Sequence, residues 1–286
     1  MRWLSKTPTT LRRLYGIDKA KAIEFLDKHP VDAVLARGNI DRMGMGASHA
    51  VGLFDSRVDE ITALAWDSGN LIPLGFDEEG LDLLADSLLA RGRICSSLVG
   101  PSDQILGLWE RVESDWGPAR EVRPRQYSMT IETPPLIAPD PGVRPARPEE
   151  LSLVLPASIA MFMEEVGYDP MLYGNSYTHR ANGLIQAGMT YIKLGPGLDG
   201  TGQRVIFKAD IGALAGGVAQ IQGVWVAPDM RGRGIASAGM AAVVRQVHAT
   251  FSPLISLYVN DFNYAAVQVY QRVGFRVVGE WATVLL

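Results

Sequence analysis

The chain has 286 residues, of which 47% are hydrophobic and 20% are charged, a composition typical of a globular protein with a large core. A typical domain has about 100–150 residues, so this length predicts two domains. The formal net charge of −4 gives no support to a nucleic-acid partner. A single cysteine, Cys95, excludes both a disulfide framework and a cysteine metal cluster.

Targeting and membrane signals are not found in the sequence. The segment 1–6 has no apolar signal core, and no stretch reaches the ~18 apolar residues of a membrane span. We therefore expect a cytoplasmic protein, a monomer or homodimer, with no membrane or nucleic-acid partner and no bound metal.

The first half alternates helix and strand patterns and predicts an α/β domain over 1–132. The predicted elements are helices 19–28 and 30–37, strands 50–54, 60–66 and 71–74, helix 77–91, strand 93–99, helix 102–115 and strand 127–131. Asp77, Glu78 and Glu79 stand at the start of one helix, where their charges would repel a phosphate. We expect this half to be non-catalytic.

A proline-rich stretch follows and predicts a stiff, extended linker at 133–142. The prolines around it are Pro134, Pro135, Pro139, Pro141, Pro145 and Pro148. The second domain then covers 143–286. Its predicted elements are strand 143–146, helices 148–166 and 175–187, strands 189–195, 203–209 and 217–226, helix 233–249, strand 254–259, helix 263–273 and a last strand from Phe275.

The loop between strand 217–226 and the next helix carries two arginines and two glycines. Gly232 and Gly234 lack a Cβ, so a bulky anion can approach the backbone closely. The first amides of the helix have no partner within it, and the helix dipole is positive at that end. Arg231 and Arg233 add fixed positive charge. The loop therefore suits a pyrophosphate.

Three kinds of phosphate loop compete for this pattern. No lysine follows either glycine, which excludes a Walker P-loop. Ser237 stands where a dinucleotide-binding fingerprint needs its third glycine, which argues against a dinucleotide site. The remaining pattern, Arg231-x-x-Gly234-x-Ala236, resembles the coenzyme A pyrophosphate loop of the GNAT superfamily of acyl-CoA-dependent N-acyltransferases. A simple surface Arg-Gly turn is the alternative for the loop alone.

A second match lies about thirty residues further on. The order Asn263, Ala266, Tyr270 and Gly274-Phe275 is similar to the second GNAT signature, Asn-x-x-Ala…Tyr…Gly-Phe. Two matches in the right order and at the right spacing favour the family over chance.

The resemblance implies the GNAT fold, a mixed and mostly antiparallel central sheet with flanking helices. The preceding α/β domain is then interpreted as a degenerate GNAT-like repeat, a tandem arrangement also seen in mycothiol synthase. An unrelated α/β domain is the alternative for that half. The implied activity moves an acetyl group from acetyl-CoA to a primary amine, on a small molecule or peptide, by direct attack in a ternary complex. A non-catalytic acyl-CoA-binding or regulatory protein is the alternative.

By the same resemblance, coenzyme contacts come from the end of one strand, the loop and two helices. These residues are Val224, Trp225, Val226, Arg231, Gly232, Arg233, Gly234, Ile235, Ala236, Asn263 and Tyr270. The strand backbone would pair with the pantetheine amides, and one of its N–H groups would stabilise the oxyanion. Gly223 is consistent with a β-bulge there. Tyr270 would protonate the leaving thiolate, the alternative being a core tyrosine; Asn263 can equally be a helix N-cap.

The sequence leaves open which residue acts as the general base that deprotonates the amine. An alkylammonium with a pKa near 10.4 must lose a proton before it attacks a thioester. Many relatives use a glutamate on the strand before the loop, where this chain has Gln220 and Gln222. Candidate bases are therefore Glu164, Glu165, Asp210 or a water chain. The two glutamates end a helix where GNAT folds bind the acceptor, and a solvated helix end is the alternative.

Overall fold

The computed structural model describes residues 9–47 and 49–286, so the predicted absence of a signal core at 1–6 lies outside the described residues. The chain forms two units. Unit 1 consists of Met1–Ser128, Tyr258–Phe262 and Val278–Leu286, and unit 2 of Met129–Leu257 and Asn263–Val277. The predicted domains follow chain order, whereas unit 1 includes two late segments because the end of the chain pairs with an early strand. The predicted linker stays a prediction.

Unit 1 contains the first ten helices and strands of the described chain. They are β1 Thr9–Arg13, α1 Lys19–Asp27, α2 Pro30–Met43, β2 Val51–Asp55, β3 Glu60–Ser68, β4 Asn70–Leu74, α3 Glu78–Arg91, β5 Ser97–Pro101, α4 Ser102–Trp116 and β6 Glu121–Ile131, whose last three residues belong to unit 2.

Unit 2 contains the later elements. They are β7 Arg144–Pro145, α5 Leu151–Val166, α6 Ser176–Gln186, β8 Thr190–Pro196, β9 Gln203–Ala215, β10 Val218–Val226, α7 Ile235–Thr250, β11 Leu254–Asn260, α8 Tyr264–Val273 and β12 Arg276–Leu285. The last three residues of β11 and all of β12 except Arg276 and Val277 belong to unit 1.

Each unit has a mostly antiparallel sheet with one parallel step. In unit 1 the order β1-β2-β3-β4-β5-β12 is antiparallel except for the β4–β5 pair. In unit 2 the order β7-β8-β9-β10-β11 is antiparallel except for β10–β11. In both units a helix follows the first strand of the parallel pair, as a parallel connection requires.

Helices cover both faces of the unit 1 sheet. Successive side chains of β3 show this directly, because they point to opposite faces of the sheet and pack against different helices. Ala63 and Ala65 pack with α3 and α4, while Leu64 and Trp66 pack with α1 and α2. All four side chains are almost fully buried. Unit 1 therefore has three layers, with a hydrophobic cluster on each face of its sheet.

The unit 2 sheet is also packed on two sides. Val154 and Ala157 of α5 join the cluster of Ile192 and Val205 on one face. On the other face α7 lies very close, since a Cβ at Gly239 would stand 2.7 Å from the Phe207 ring. The small residues of α7 therefore allow it to pack closely against the sheet.

Four predicted boundaries are wrong by several residues. Strand β6, predicted as 127–131, begins at Glu121, and β9, predicted as 203–209, continues to Ala215. The predicted strand 93–99 begins only at Ser97, because Asn70↔Ser97 is the first pair between β4 and β5. The predicted helix 30–37 continues to Met43, through a polar turn that carries little periodic signal. In the described part of the chain, no helix combines the length and the hydropathy that crossing a membrane requires.

A buried ion pair ties β7 to the start of α5. Arg144 donates two hydrogen bonds to the Glu150 carboxylate at 2.7 and 2.6 Å, and the Arg147 amide donates a third at 2.7 Å. These bonds, chiefly those from Arg144, lower the pKa of Glu150 from 4.5 to about 2. The carboxylate form is therefore the one that holds this corner together.

We expect Glu150→Gln to lower the free energy of unfolding at pH 7 by about 2 kcal/mol. Because the folded state lowers this pKa, the stabilisation is present above pH 4.5 and is lost as the pH falls towards 2. Urea unfolding at pH 7 and pH 3 measures both effects. Glu149→Gln, a change at the exposed neighbour, is the control and should leave stability unchanged. Equal stability of the two variants at pH 7 would contradict the assignment.

Candidate functional site

The parallel strands β10 and β11 separate soon after they begin. Their pairing runs from Val218↔Leu254 to Gln220↔Ser256, although β10 continues to Val226. The far half of β10 keeps β9 as its partner on the other side. Its backbone groups facing away from β9 therefore form a strand edge, which an extended ligand can pair with as another strand would.

A β-bulge lies within this open half of β10. The paired residues pass from Gln222↔Asp210 directly to Trp225↔Lys208, so two residues of β10 stand opposite one of β9. Gly223 is one of the two and has a φ of +59°, a backbone conformation that favours glycine. The bulge predicted at Gly223 is confirmed.

The loop after β10 leads into an open helix start. Gly232 and Gly234 have φ values of +75° and +77°, and an added Cβ at either would meet no atom within 4 Å. Gly234 is the N-cap of α7, and within 9–47 and 49–286 no side chain accepts a hydrogen bond from the first amides of this helix. Free amides, open space and a positive helix end fit a bulky anion such as a pyrophosphate.

The equivalent position in unit 1 is closed by the chain's own side chains. Asp77 accepts a hydrogen bond from the Gly80 amide at 2.8 Å at the start of α3. Gln104 accepts one from the Phe76 amide and donates one to the Phe76 carbonyl, both at 2.9 Å. Two of the backbone amides that an anion would need thus already donate their hydrogen bonds to side-chain oxygens.

The remaining site residues predicted from the sequence also lie in unit 2. The end of β10 carries Val224, Trp225 and Val226, the loop carries Arg231, Gly232 and Arg233, and α7 begins with Ile235 and Ala236. The end of α5 carries Glu164 and Glu165, and β9 carries Asp210. The last two are Asn263, just before α8, and Tyr270, within α8.

Glu164 links the end of α5 to the loop. Its carboxylate accepts a hydrogen bond from Arg231 Nη2 at 2.7 Å and another from Trp225 Nε1 at 3.0 Å. Arg231 also donates from Nε to the Val226 carbonyl at 3.0 Å. Glu164 and Arg231 are both about half exposed. Glu164 therefore neutralises part of the positive charge of the loop.

Tyr270 is buried on the inner side of α8. Its ring makes an edge contact with Phe275 at 5.9 Å between centroids. Burial, together with the charge of Glu165, raises the pKa of the phenol. The hydroxyl consequently stays protonated and can donate a proton. Gly274 ends the helix in a left-handed conformation with a φ of +119°.

Asn263 acts as the N-cap of α8. Its side-chain oxygen accepts a hydrogen bond from the Ala266 amide at 3.2 Å. The N-cap role considered from the sequence is thus confirmed. A coenzyme contact by the same side chain stays a prediction.

A buried polar cluster lies beside the bulge. Asp210 accepts a hydrogen bond from Thr190 Oγ1 at 2.8 Å and a second one from Lys208 Nζ. The Lys208 ammonium also lies 3.5 Å from the Gly223 carbonyl oxygen. Asp210, one of the candidate bases, is therefore already held on both carboxylate oxygens.

Sequence reasoning missed Lys208 and Thr190. A lysine between Phe207 and Ala209, inside an apolar strand, is the signal that could have identified Lys208. Thr190 gives no such signal, since threonine is common in strands. Across the described residues, no group of three or more His, Cys, Asp or Glu side chains is placed to hold a metal ion.

Family models match two parts of the chain. Residues 187–275 match the model of the acetyltransferase (GNAT) family. Residues 51–154 match the model of a domain of unknown function, DUF4081. A comparison with curated proteins finds no match. The chain therefore carries a GNAT-family domain in its second half, as the two sequence signatures predict.

Solved GNAT structures are similar over nearly the whole chain. A GCN5-related N-acetyltransferase from Sphaerobacter thermophilus is 18% identical, with 96% of this chain and 94% of that chain covered and a TM-score of 0.60. A GNAT-family acetyltransferase from Colwellia psychrerythraea is 12% identical, with 97% and 99% covered and a TM-score of 0.57. A tandem GNAT protein from the clavulanic acid biosynthesis pathway is 14% identical, with 98% of each chain covered and a TM-score of 0.56.

At these identities the likeness concerns the fold. It confirms the predicted fold class, a mixed and mostly antiparallel sheet with flanking helices, in a tandem GNAT layout. Both halves of this chain take part, because the matches cover 96% or more of it.

Releasing Arg231 from Glu164 is expected to strengthen anion binding at the loop. An exposed ion pair is worth about 0–1 kcal/mol, so Glu164→Gln should increase affinity for coenzyme A by up to about fivefold. Titration calorimetry measures the effect. Glu149→Gln, the same change in the turn before α5, is the matched control. Weaker binding by Glu164→Gln would show that Glu164 supports the anion site instead of competing for it.

Proposed function

We propose that the protein is an N-acetyltransferase that moves an acetyl group from acetyl-CoA to a primary amine on a small molecule or peptide. One observation carries this proposal: an uncapped, glycine-lined helix start directly follows a strand that has lost its parallel neighbour. The helix start suits a pyrophosphate. The open strand edge suits the amides of a pantetheine arm. The GNAT-family match over 187–275 supports the same conclusion.

The proposed coenzyme contacts are made by backbone more than by side chains. The amides of Gly232–Ala236 would receive the pyrophosphate, with Arg231 and Arg233 as neighbouring charges. The edge of Val224–Val226 would pair with the pantetheine arm. Because both sets of groups come from rigid elements and a short loop, little ordering is needed when the ligand binds.

Acetyl-CoA supplies the activated thioester carbonyl. We assign removal of the amine proton to Glu165, because its negative charge acts on the Tyr270 phenol, which is the proposed acid. The free amine nitrogen then bonds to the carbonyl carbon, the carbon–sulfur bond breaks, and the nitrogen loses its second proton to water. Tyr270 donates its proton to the departing thiolate and is reprotonated from water; its raised pKa keeps the phenol protonated until the thiolate forms.

An acyl-CoA-binding protein without turnover is the alternative. Gln220 and Gln222 favour it, because β10 offers amides where a carboxylate base could stand. Their side chains bond to each other at 3.0 Å. For unit 1 we propose a non-catalytic role, since Asp77 and Gln104 occupy the amides at the equivalent helix start.

Release of free thiol from acetyl-CoA, measured across a panel of amines, tests the activity. We expect turnover with at least one amine and a loss of about 10²–10⁴-fold in kcat for Tyr270→Phe, because the thiolate would leave without its acid. Coenzyme affinity should be unchanged. Tyr264→Phe, at an exposed tyrosine of the same helix, is the control. Saturable binding without turnover on any amine would favour the alternative.

A charge at Gly234 tests the proposed pyrophosphate position. We expect Gly234→Glu to weaken coenzyme A binding by about 1–3 kcal/mol, since a carboxylate would occupy the anion site and the backbone prefers glycine. Gly200→Glu imposes the same change at a φ of +79° in an exposed turn, so it controls for backbone strain. Equal affinity of the two variants would locate the pyrophosphate elsewhere.

A further inference from the structure

We propose that Lys208 is a positioning residue that orients the peptide between Gly223 and Val224, and thereby aims the Val224 amide at the thioester carbonyl. This inference rests on the proposed function. It assigns a task to a buried lysine that neither sequence signature includes.

The Lys208 side chain is unusually placed for a lysine. It is only 1% exposed, in a strand whose neighbours are apolar. Its charge is balanced by Asp210, which is held in turn by Thr190 of the adjacent strand. Replacing a buried ion pair by uncharged residues is often neutral or stabilising. Stability alone therefore does not explain why a lysine lies here.

The bulge places one peptide directly at the end of this lysine. A Cβ at Gly223 would lie 3.1 Å from Asp210 Oδ2 and 3.2 Å from Lys208 Nζ. The Gly223 carbonyl oxygen faces the ammonium at 3.5 Å. Within the bulge, two residues of β10 share one partner in β9, so regular pairing constrains this peptide less than its neighbours.

Peptide planarity carries this orientation to the next residue. In a trans peptide the C=O and the following N–H point in opposite directions. A Gly223 carbonyl that faces Lys208 therefore directs the Val224 N–H away from Lys208. Glycine, lacking a Cβ, also permits the flipped peptide, so the backbone at this position does not select one orientation by itself. The attraction between the Lys208 ammonium and the Gly223 carbonyl oxygen selects the orientation in which the two groups face each other.

The orientation matters because an oxyanion donor must be fixed before the reaction. Donors that are held in place in a water-poor site stabilise developing negative charge without reorganisation, and losing one costs about 10²–10³ in kcat. Val224 lies in the open half of β10, where the thioester would pass. Lys208 would thus act through the backbone without touching the substrate.

Infrared spectroscopy of bound [1-¹³C]acetyl-CoA tests this without any acceptor amine. Hydrogen bonding to the thioester carbonyl lowers its stretching frequency. We expect a downward shift on binding to the wild-type protein, and no such shift with the double variant Lys208→Met/Asp210→Asn. The double change avoids leaving Asp210 buried without its partner. The affinity of the double variant for acetyl-CoA should stay within about threefold of the wild-type value, because only the weak hydrogen bond to the thioester carbonyl is lost.

Lys193→Met is the matched control, since Lys193 lies in β8, pairs with Asp140 in the segment before β7 and takes no part in the bulge. It should keep the full shift. Wild-type frequency in the double variant would overturn the role of Lys208 while leaving the proposed function intact. Failure of the wild-type protein to bind acetyl-CoA would refute the proposed function itself, and this inference with it.

A second measurement on the wild-type protein needs no variant. The amide proton signal of Val224 should move downfield with acetyl-CoA and much less with coenzyme A, which lacks the carbonyl. Equal responses to the two ligands would show that this amide is not the donor, and would overturn the proposal even where the double variant fails to fold.

Discussion

The early separation of β10 from β11 is the constraint on which the site in unit 2 depends. Three residue pairs hold the two parallel strands together before they part. Two consequences follow from the same divergence. One edge of β10 is left for an extended ligand, and the bulge at Gly223 can form where neighbouring strands impose less regular geometry. The chain then turns directly into α7, so a helix start lies at the end of that edge.

The two units show how side chains decide the outcome of one architectural plan. Each has a short parallel pair and a helix that begins after its first strand. At α3, Asp77 and Gln104 satisfy the amides that an anion would use. At α7, no side chain caps the helix, and two glycines leave open space. The amides at the helix start are therefore already hydrogen-bonded in unit 1 and open to an anion in unit 2.

Hydrophobic periodicity predicted most helices and central strands, because buried faces impose spacings of 3.6 and 2 residues. It failed where position depends on a partner. β1 was not predicted, since most of its residues are exposed and it is defined by pairing with β2. β5 begins where its partner begins. The units differ from the predicted domains because Trp281–Leu285 of β12 pair with β5, far away in sequence.

The sequence by itself determined the glycine and arginine loop, the bulge at Gly223 and the helix that carries Tyr270. These features depend on short-range spacing, which determines helix faces and backbone conformation. Only the tertiary structure separated the candidate carboxylates from one another. It placed Glu164 on Arg231, 67 residues away, and Asp210 on Lys208 and Thr190. In the sequence these acids look alike, because the charge that a carboxylate meets is set by strands and helices that approach it only in the folded chain.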